Sequence, residues 1–291
     1  MGSSIAVIMT CFNRREKSLA CLRALFAQEL PDGISVSVFL VDDGSTDGTG
    51  DAVRQAFPSV NVLQGDGTLY WNQGMRFAFG EAIKLGFDYY LWLNDDTYIY
   101  PDTIKKLLAT NVAIGPGQTD RAIIAGSMAD PKTGAVTYGG LDKSTFWHRT
   151  ALRRVPPQDK PQRCLTIHGN CVLVPAAVVA VVGNLSDEFP HSFGDNDYGL
   201  RAGKLGINCW IAPGFIGTCT NDHPPLSRYR KLSLRERWRR MTGPTGHPPR
   251  AWAVYCKRYA GSFWFYYWCR PYLRELLVLF APGGALLVKK S

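Results

Sequence analysis

Short, almost wholly apolar runs recur along the first third of the chain, each followed by a polar turn and then by apolar residues at helical spacing. The runs at 5–9, 36–41, 61–63 and 89–93 are rich in β-branched and aromatic residues and too short for buried helices, so they predict strands covered on both faces. Between them, Leu19, Leu22, Leu25 and Phe26 share one face of a helix over 15–28. A second helix runs to Phe57, and Trp71, Met75, Ala78, Phe79, Ala82 and Ile83 line one side of a third. Strands alternating with helices of this length predict an α/β fold on a right-handed, mainly parallel sheet. Past Pro101 the pattern loosens. A strand is expected over 123–128, a hairpin arm over 134–138 and a Pro-containing polar loop of lid type over 142–162. A strand over 171–174 leads into an apolar helix over 175–182, and another helix ends at Lys204.

Polar chemistry gathers where these strands end. Leu91-Trp92-Leu93-Asn94-Asp95-Asp96-Thr97 carries an apolar strand straight into two adjacent carboxylates. At the carboxyl edge of an open α/β sheet, where ligands sit, such a pair with no neighbouring Lys or Arg in the sequence repels itself unless a cation lies between. Mg²⁺ or Mn²⁺, held by one or two carboxylates and otherwise by phosphate oxygens, suits the arrangement; capping of the helix that starts near Pro101 is the plainer alternative. Asp42 and Asp43 end the second strand at the same edge. Asn72 and Gly74 fall in the first turn of the third helix, where free N–H groups and the helix dipole favour a phosphate or a base edge. Asp195 opens the helix that ends at Lys204. A carboxylate there is kept ionised, as a general base requires, although a simple N-cap explains it equally.

The chain has 291 residues and a net charge of +9. The charge is unevenly placed: from Pro224 onward there are 14 Lys and Arg against Glu236 and Glu275 alone, leaving residues 1–223 slightly acidic. That division argues against nucleic acid as a partner of the first part and for an anionic surface as a partner of the tail. Eight cysteines occur without any C-x-x-C, and Cys164, His168 and Cys171 lack a fourth partner at zinc spacing, so free thiols in the core are expected. No secretory signal or span-length apolar run is evident, which places the chain in the cytoplasm. The turn after the first strand has no glycine-rich phosphate loop, which counts against P-loop kinases and dinucleotide oxidoreductases.

Taken in order, these segments resemble the family 2 inverting glycosyltransferases of the GT-A fold over roughly residues 5–223. Thr10, Phe12, Asn13 and Arg14 look like the family's opening nucleotide loop, and Val41-Asp42-Asp43-Gly44-Ser45-Thr46-Asp47 looks like its V-D-D-G-S-x-D segment. Leu93-Asn94-Asp95-Asp96 resembles the D-x-D metal motif with Asn94 in place of its first acid. Phe193-Gly194-Asp195-Asn196-Asp197 resembles E-D-x-D with Gly194 in place of Glu. His223 stands where many members have a late metal-binding His. The resemblance implies a GT-A α/β/α sandwich over 1–223, with a nucleotide-sugar half to about residue 100 and an acceptor half after it. It also implies a nucleoside-diphosphate-sugar donor, Mn²⁺ or Mg²⁺ on Asp96 and His223, and Asp195 as base. Thr10, Phe12, Asn13, Arg14, Asp42, Asp43, Trp71, Asn72 and Asp95 are the expected nucleotide contacts, and Trp147, His168, Gly169, Asn170 and Asp197 the candidate sugar or acceptor contacts.

A sugar-nucleotide pyrophosphorylase is the rival enzyme, disfavoured by the missing phosphate loop, and a silent, membrane-docked nucleotide-binding scaffold is the rival of another class. The tail over 224–291 holds 13 of the 35 aromatic residues. Aromatic and basic residues together predict helices lying in the inner membrane interface beside a glycan or lipid-linked acceptor; packing on the catalytic part or in a homo-oligomer contact is the alternative.

Overall fold

The computed structural model describes residues 2–115, 117–145, 149–220 and 232–280, the last three by backbone alone. The expected alternation is present: β1 (Ser3–Cys11), α1 (Arg15–Phe26), β2 (Ile34–Asp42), α2 (Thr49–Ala56), β3 (Asn61–Gln64), α3 (Tyr70–Leu85) and β4 (Tyr89–Leu93). β1 pairs in parallel with both β2 and β4, and β2 with β3, so all four strands deliver their carboxyl ends to one edge. The central strand β1 is apolar and closed to solvent from Ile5 to Met9 because helices cover both of its faces. Odd-numbered Ile5, Val7 and Met9 pack with Leu19, Leu22 and Leu25 of α1. Even-numbered Ala6 and Ile8 pack with Met75, Ala78 and Phe79 of α3, so the period-two alternation of a strand feeds two cores.

After β5 (Tyr98–Ile99) and α4 (Thr103–Ala113) come β6 (Ala122–Ala129) and β7 (Val136–Tyr138), the expected hairpin arm. The stretch expected as a loop over 142–162 is corrected in part. β8 (Gly140–Lys143) and β9 (Leu152–Arg154) pair there, and β10 (Gln162–Cys164) and β11 (Thr166–Ile167) follow. β11, β8 and β9 make a separate three-stranded antiparallel sheet. Its strands are too short and too polar to stand out by alternation. β12 (Cys171–Pro175), α5 (Ala176–Val182), α6 (Gly194–Lys204) and β13 (Asn208–Thr218) complete the first part. The main sheet runs β10-β13-β6-β12-β4-β1-β2-β3, with β12 entering antiparallel between β4 and β6.

Among the described residues three α-helices follow: α7 (Leu234–Thr242), α8 (Pro249–Tyr259) and α9 (Trp264–Phe280). Ser233 and Glu236 form a reciprocal capping box at the start of α7, and Pro249 occupies the first position of α8, where a missing N–H costs nothing. Met241, Trp252, Tyr255 and Tyr272 form a core of their own that takes in Phe189 from the first part. The two parts are tied through Asp197 on α6, which has no exposed surface. Its carboxylate accepts from Arg201 Nε at 2.8 Å, Arg258 Nη1 at 2.8 Å and the Tyr259 hydroxyl at 2.7 Å. The expectation that Asp197 contacts a sugar is therefore corrected: three intramolecular donors occupy it. Tail helices packed on the catalytic part account for one face of the extension, while Phe263, Phe265, Tyr266 and Leu277 remain exposed on another. Among the described residues no helix is long and apolar enough to cross a membrane.

Arg258→Met removes one of two cationic donors from a buried carboxylate and should cost roughly 2 kcal/mol. Urea unfolding should show a lowered midpoint with an unchanged slope; a midpoint equal to wild type would mean that Arg258 contributes nothing to the tie.

Candidate active site

β4 ends at Leu93, and the Asn94 N–H donates to the Asn170 carbonyl at 3.0 Å, which locks the acidic turn onto the start of β12. Asp95 turns inward and is buried; it accepts from Ser18 Oγ and from Arg14 Nη1, each at 3.2 Å. Asp96 Oδ2 accepts from the same Arg14 nitrogen at 2.6 Å, and Cys219 Sγ points to its Oδ1 at 3.7 Å. Burial pushes the Asp95 carboxyl up to about 7, opposed by the Arg14 charge and reinforced by that of Asp96. The absence of a nearby cation, true of the local sequence, is corrected by the fold: β1 and β4 are neighbours, so the β1–α1 turn sets Arg14 against acids 81 and 82 residues away.

The nucleotide edge is built by two turns laced together. Asn13, in the left-handed region at φ 51°, donates its N–H to Ser45 Oγ, and its side-chain oxygen accepts from Thr46 N at 2.7 Å. Asp42 is buried and accepts from Ser45 N, while Asp43 holds the 67–70 turn by accepting from the N–H groups of Gly67, Leu69 and Tyr70. Thr10 lies under α3 against Gly74, where an added Cβ would stand 2.3 Å from its hydroxyl. Phe12 is half exposed at the mouth of the edge. Asn72 is corrected from ligand contact to support. It is fully buried, and its amide donates to the Ser186 and Phe189 carbonyls, fixing the segment that leads into α6.

That segment delivers Asp195 to the site. Phe193 takes the left-handed conformation at φ 76° just before the helix and packs against Trp252 and Tyr255 of the extension. Asp195 is partly buried; its Oδ2 accepts from Gly169 N at 3.0 Å and its Oδ1 from Asn196 N at 2.7 Å. Burial raises it to about 6, against the stabilising pull of those N–H groups. A carboxyl raised towards neutrality in this way is chemically able to accept a proton.

Trp71 joins the two acidic centres. Its Nε1–H donates to Asn94 Oδ1 at 2.7 Å, and its ring lies over Gly169, where an added Cβ would come within 2.4 Å of the ring and 3.4 Å of Asp195 Cβ. The fold thus brings Arg14, Trp71, Asn94, Asp95, Asp96, Gly169 and Asp195 to one place. Asn170 is buried behind them, with its amide on Thr97 Oγ1 at 3.5 Å, and His168 stacks edge-on against Tyr138 beside them. Trp147 and His223 lie outside the described residues. Six of the eight cysteines are buried, and Cys164 and Cys269 are partly so. Sequence reasoning did not foresee the roles of Asn94, Phe193 or His191, whose Nδ1 accepts from Trp71 N at 3.4 Å. Asn94 was marked only by its place in the acidic turn, and nothing in the local sequence marks the other two.

This fold and edge define a GT-A-type architecture. The family model for glycosyl transferase family 2 matches residues 6–153, half of the chain, and the chain belongs to that family. Two strains of Mycobacterium tuberculosis have an N-acetylglucosaminyl-diphospho-decaprenol L-rhamnosyltransferase that is 28% identical over 61% of this chain and 63% of its own length. The chain therefore spans just under two thirds of these curated relatives. Among solved structures, a TarS fragment of S. aureus in complex with UDP-GlcNAc has a TM-score of 0.56 at 15% identity, covering 88% of this chain and 66% of that one. The mannosyltransferase PcManGT of Pyrobaculum calidifontis, in complex with GDP-Man and Mn²⁺, has a TM-score of 0.52 at 16% identity, covering 88% and 64%.

The departure at Gly194 has a local cause: an added Cβ would sit 1.7 Å from Asn72 Oδ1. Gly194→Glu, which restores the acid of the family pattern, should destabilise the chain by about 1–3 kcal/mol through overpacking, and Asn72→Ala in the same chain should recover part of the loss. Thermal unfolding of the two variants checks this; equal stability of Gly194→Glu and wild type would remove the steric explanation.

Proposed function

We propose that the protein is a metal-dependent inverting glycosyltransferase that moves a sugar from a nucleoside-diphosphate sugar to a hydroxyl of a glycan or lipid-linked acceptor. Asp195 carries the proposal: a carboxylate at a helix N-terminus, raised to about 6, opening on the face that also holds the Asp95–Asp96 turn. In a single displacement the acceptor hydroxyl attacks the anomeric carbon from the side opposite the diphosphate while Asp195 takes its proton. The Gly169 and Asn196 N–H groups hold the carboxylate in place, and no covalent nucleophile is required.

The site's donor set fits a hard divalent cation. Two carboxylates already converge on one positive group, the Arg14 guanidinium, and oxygen donors of this kind suit Mg²⁺ or Mn²⁺. Asp96 would hold the ion with Asp95 and His223 beside it, and oxygens of the diphosphate would supply further ligands. Among the described residues no group of three or more His, Cys, Asp or Glu is close enough to hold a metal. When bound, such an ion offsets the charge of the leaving diphosphate. The protein's own part is to hold the two acids in place through Arg14 and Ser18, and to close the nucleotide edge with the laced 13–46 turns. Thr10, Phe12, Asn13, Asp42 and Asp43 line or shape that edge. His168, Trp147 and Asn170 are proposed on the acceptor side. An L-rhamnosyl or other deoxyhexosyl donor is the first to test, by the relative's name.

The extension is proposed to rest on an anionic membrane surface, in keeping with a lipid-linked acceptor. Exposed Phe263, Phe265 and Tyr266 would enter at headgroup depth, each nearby basic residue adding about 1 kcal/mol.

Thermal shift with UDP-, dTDP- and GDP-sugars plus Mn²⁺ should reveal one stabilising donor. Asp195→Asn should then lower transfer by at least about 10³-fold with donor affinity within a few-fold of wild type. In the wild type, kcat should fall tenfold per unit on the acid side of pH 6, since protonation removes the base. Activity near wild type in Asp195→Asn would exclude Asp195 from the chemistry. Asp96→Ala should weaken Mn²⁺-dependent donor binding by calorimetry; unchanged binding would refute the metal assignment. For the membrane, flotation on anionic liposomes should be salt-sensitive and lost on replacing Phe263, Phe265 and Tyr266 by Ser. Equal flotation of the two chains would defeat that part.

A further inference from the structure

We propose that Arg14 is the resident cation of the Asp95–Asp96 pair and that a divalent metal ion must displace it, so that the site works by cation exchange. The inference rests on the metal-dependent reading above and deepens it by naming the residue that opposes metal entry. Arg14 Nη1 stands 2.6 Å from Asp96 Oδ2 and 3.2 Å from Asp95 Oδ1. A metal ion on the same Asp96 carboxylate, at about 2.0–2.2 Å, would stand beside the guanidinium, and two positive groups at that separation repel each other. The other oxygen, Oδ1, has Cys219 Sγ beside it at 3.7 Å.

The two acids differ in freedom. The Asp95 side chain is 6% exposed and tied to Ser18, so it stays with its inward partners, whereas Asp96 is 14% exposed and Arg14 42%. Arg14 is therefore the member that can leave, by a side-chain rotation alone. Its backbone is anchored by the Ser18 N–H on its carbonyl at 2.8 Å. A guanidinium does not lose its proton in a protein, so it is removed only by movement, and the movement needs a new anionic partner. A nucleoside diphosphate at the carboxyl edge supplies one, because phosphate oxygens match the planar fork of an arginine. Metal entry and donor entry are coupled on this basis: the ion takes Asp96 as the diphosphate takes Arg14. Without the donor, the metal site is closed by the protein's own charge.

Mn²⁺ titration of the full chain with no nucleotide present, followed by the electron paramagnetic signal of free Mn²⁺, tests the exchange. Arg14→Gln should bind the ion at least tenfold more tightly than wild type, Arg14→Lys should stay within about threefold of wild type, and Asp96→Asn added to Arg14→Gln should abolish the gain. Unchanged or weaker binding by Arg14→Gln, or a gain that survives Asp96→Asn, would overturn the proposal. Should Arg14→Gln not fold, as judged by circular dichroism, wild-type protein decides. Saturating Mg²⁺ with a nucleoside diphosphate should shift the Arg14 Nε resonance, and no shift at saturation overturns it. Because the first titration contains no nucleotide, failure to find any donor would count against the transferase reading and leave this result standing.

Discussion

Carboxylates gathered at one edge of a parallel sheet repel one another, and the architecture around this site is largely the answer to that repulsion. Two unit charges 4 Å apart in a partly buried setting cost about 4 kcal/mol. Each acid here is met by a different device. Asp43 is neutralised by three N–H groups of a turn, Asp95 by a hydroxyl and a guanidinium, Asp195 by two N–H groups at the start of α6, and Asp197 by two arginines and a phenol. Of these four, Asp195 alone is partly open, and it has no cationic partner, which suits the proton-accepting role proposed for it.

The tie at Asp197 joins the C-terminal helices to α6 and so to the α/β part of the chain. Net charge along the sequence suggested an appendage, because 14 basic residues with two acids look like a surface-seeking tail. Two of those bases are turned inward. Arg258 reaches Asp197 and, through its guanidinium face, Phe189, while Arg237 pairs with Glu275 at 2.6 Å inside the helical bundle. Charge counted along a chain measures what is available to a partner only after the internal pairs are known. The exposed aromatic residues Phe263, Phe265 and Tyr266 take no part in these internal pairs.

The alternation of strands and helices through residue 93 was legible because each element carries a complete local signal: a β-branched run, a turn, then a stripe of period 3.6. The acids at the strand ends were legible for the same reason. What the pattern could not carry was distance. Arg14 and Asp96 belong to one site only because β1 and β4 pair, and Asn72 is a support only because the chain later returns with Ser186 and Phe189. The small sheet of β8, β9 and β11 escaped notice since strands of two to four residues contain too few positions to alternate. β12 was found but not its direction, as an apolar run reads the same in parallel and antiparallel pairing.

The two departures from the family pattern, Asn94 and Gly194, are explained by one another's neighbourhood. Asp at 94 would place a third charge beside Asp95 and Asp96 with Arg14 as the cation against all three, whereas Asn keeps the acceptor oxygen that Trp71 Nε1 needs and removes the charge. Trp71 held in that way covers Gly169, and Gly169 in turn donates to Asp195. Gly194 lets α6 approach Asn72, whose amide holds the segment before the helix. One substitution lowers the negative charge at the acidic turn and the other lets the start of α6 pack closely. The contacts Asn94–Trp71–Gly169–Asp195 thus form one continuous path between the acidic turn and the carboxylate at the start of α6.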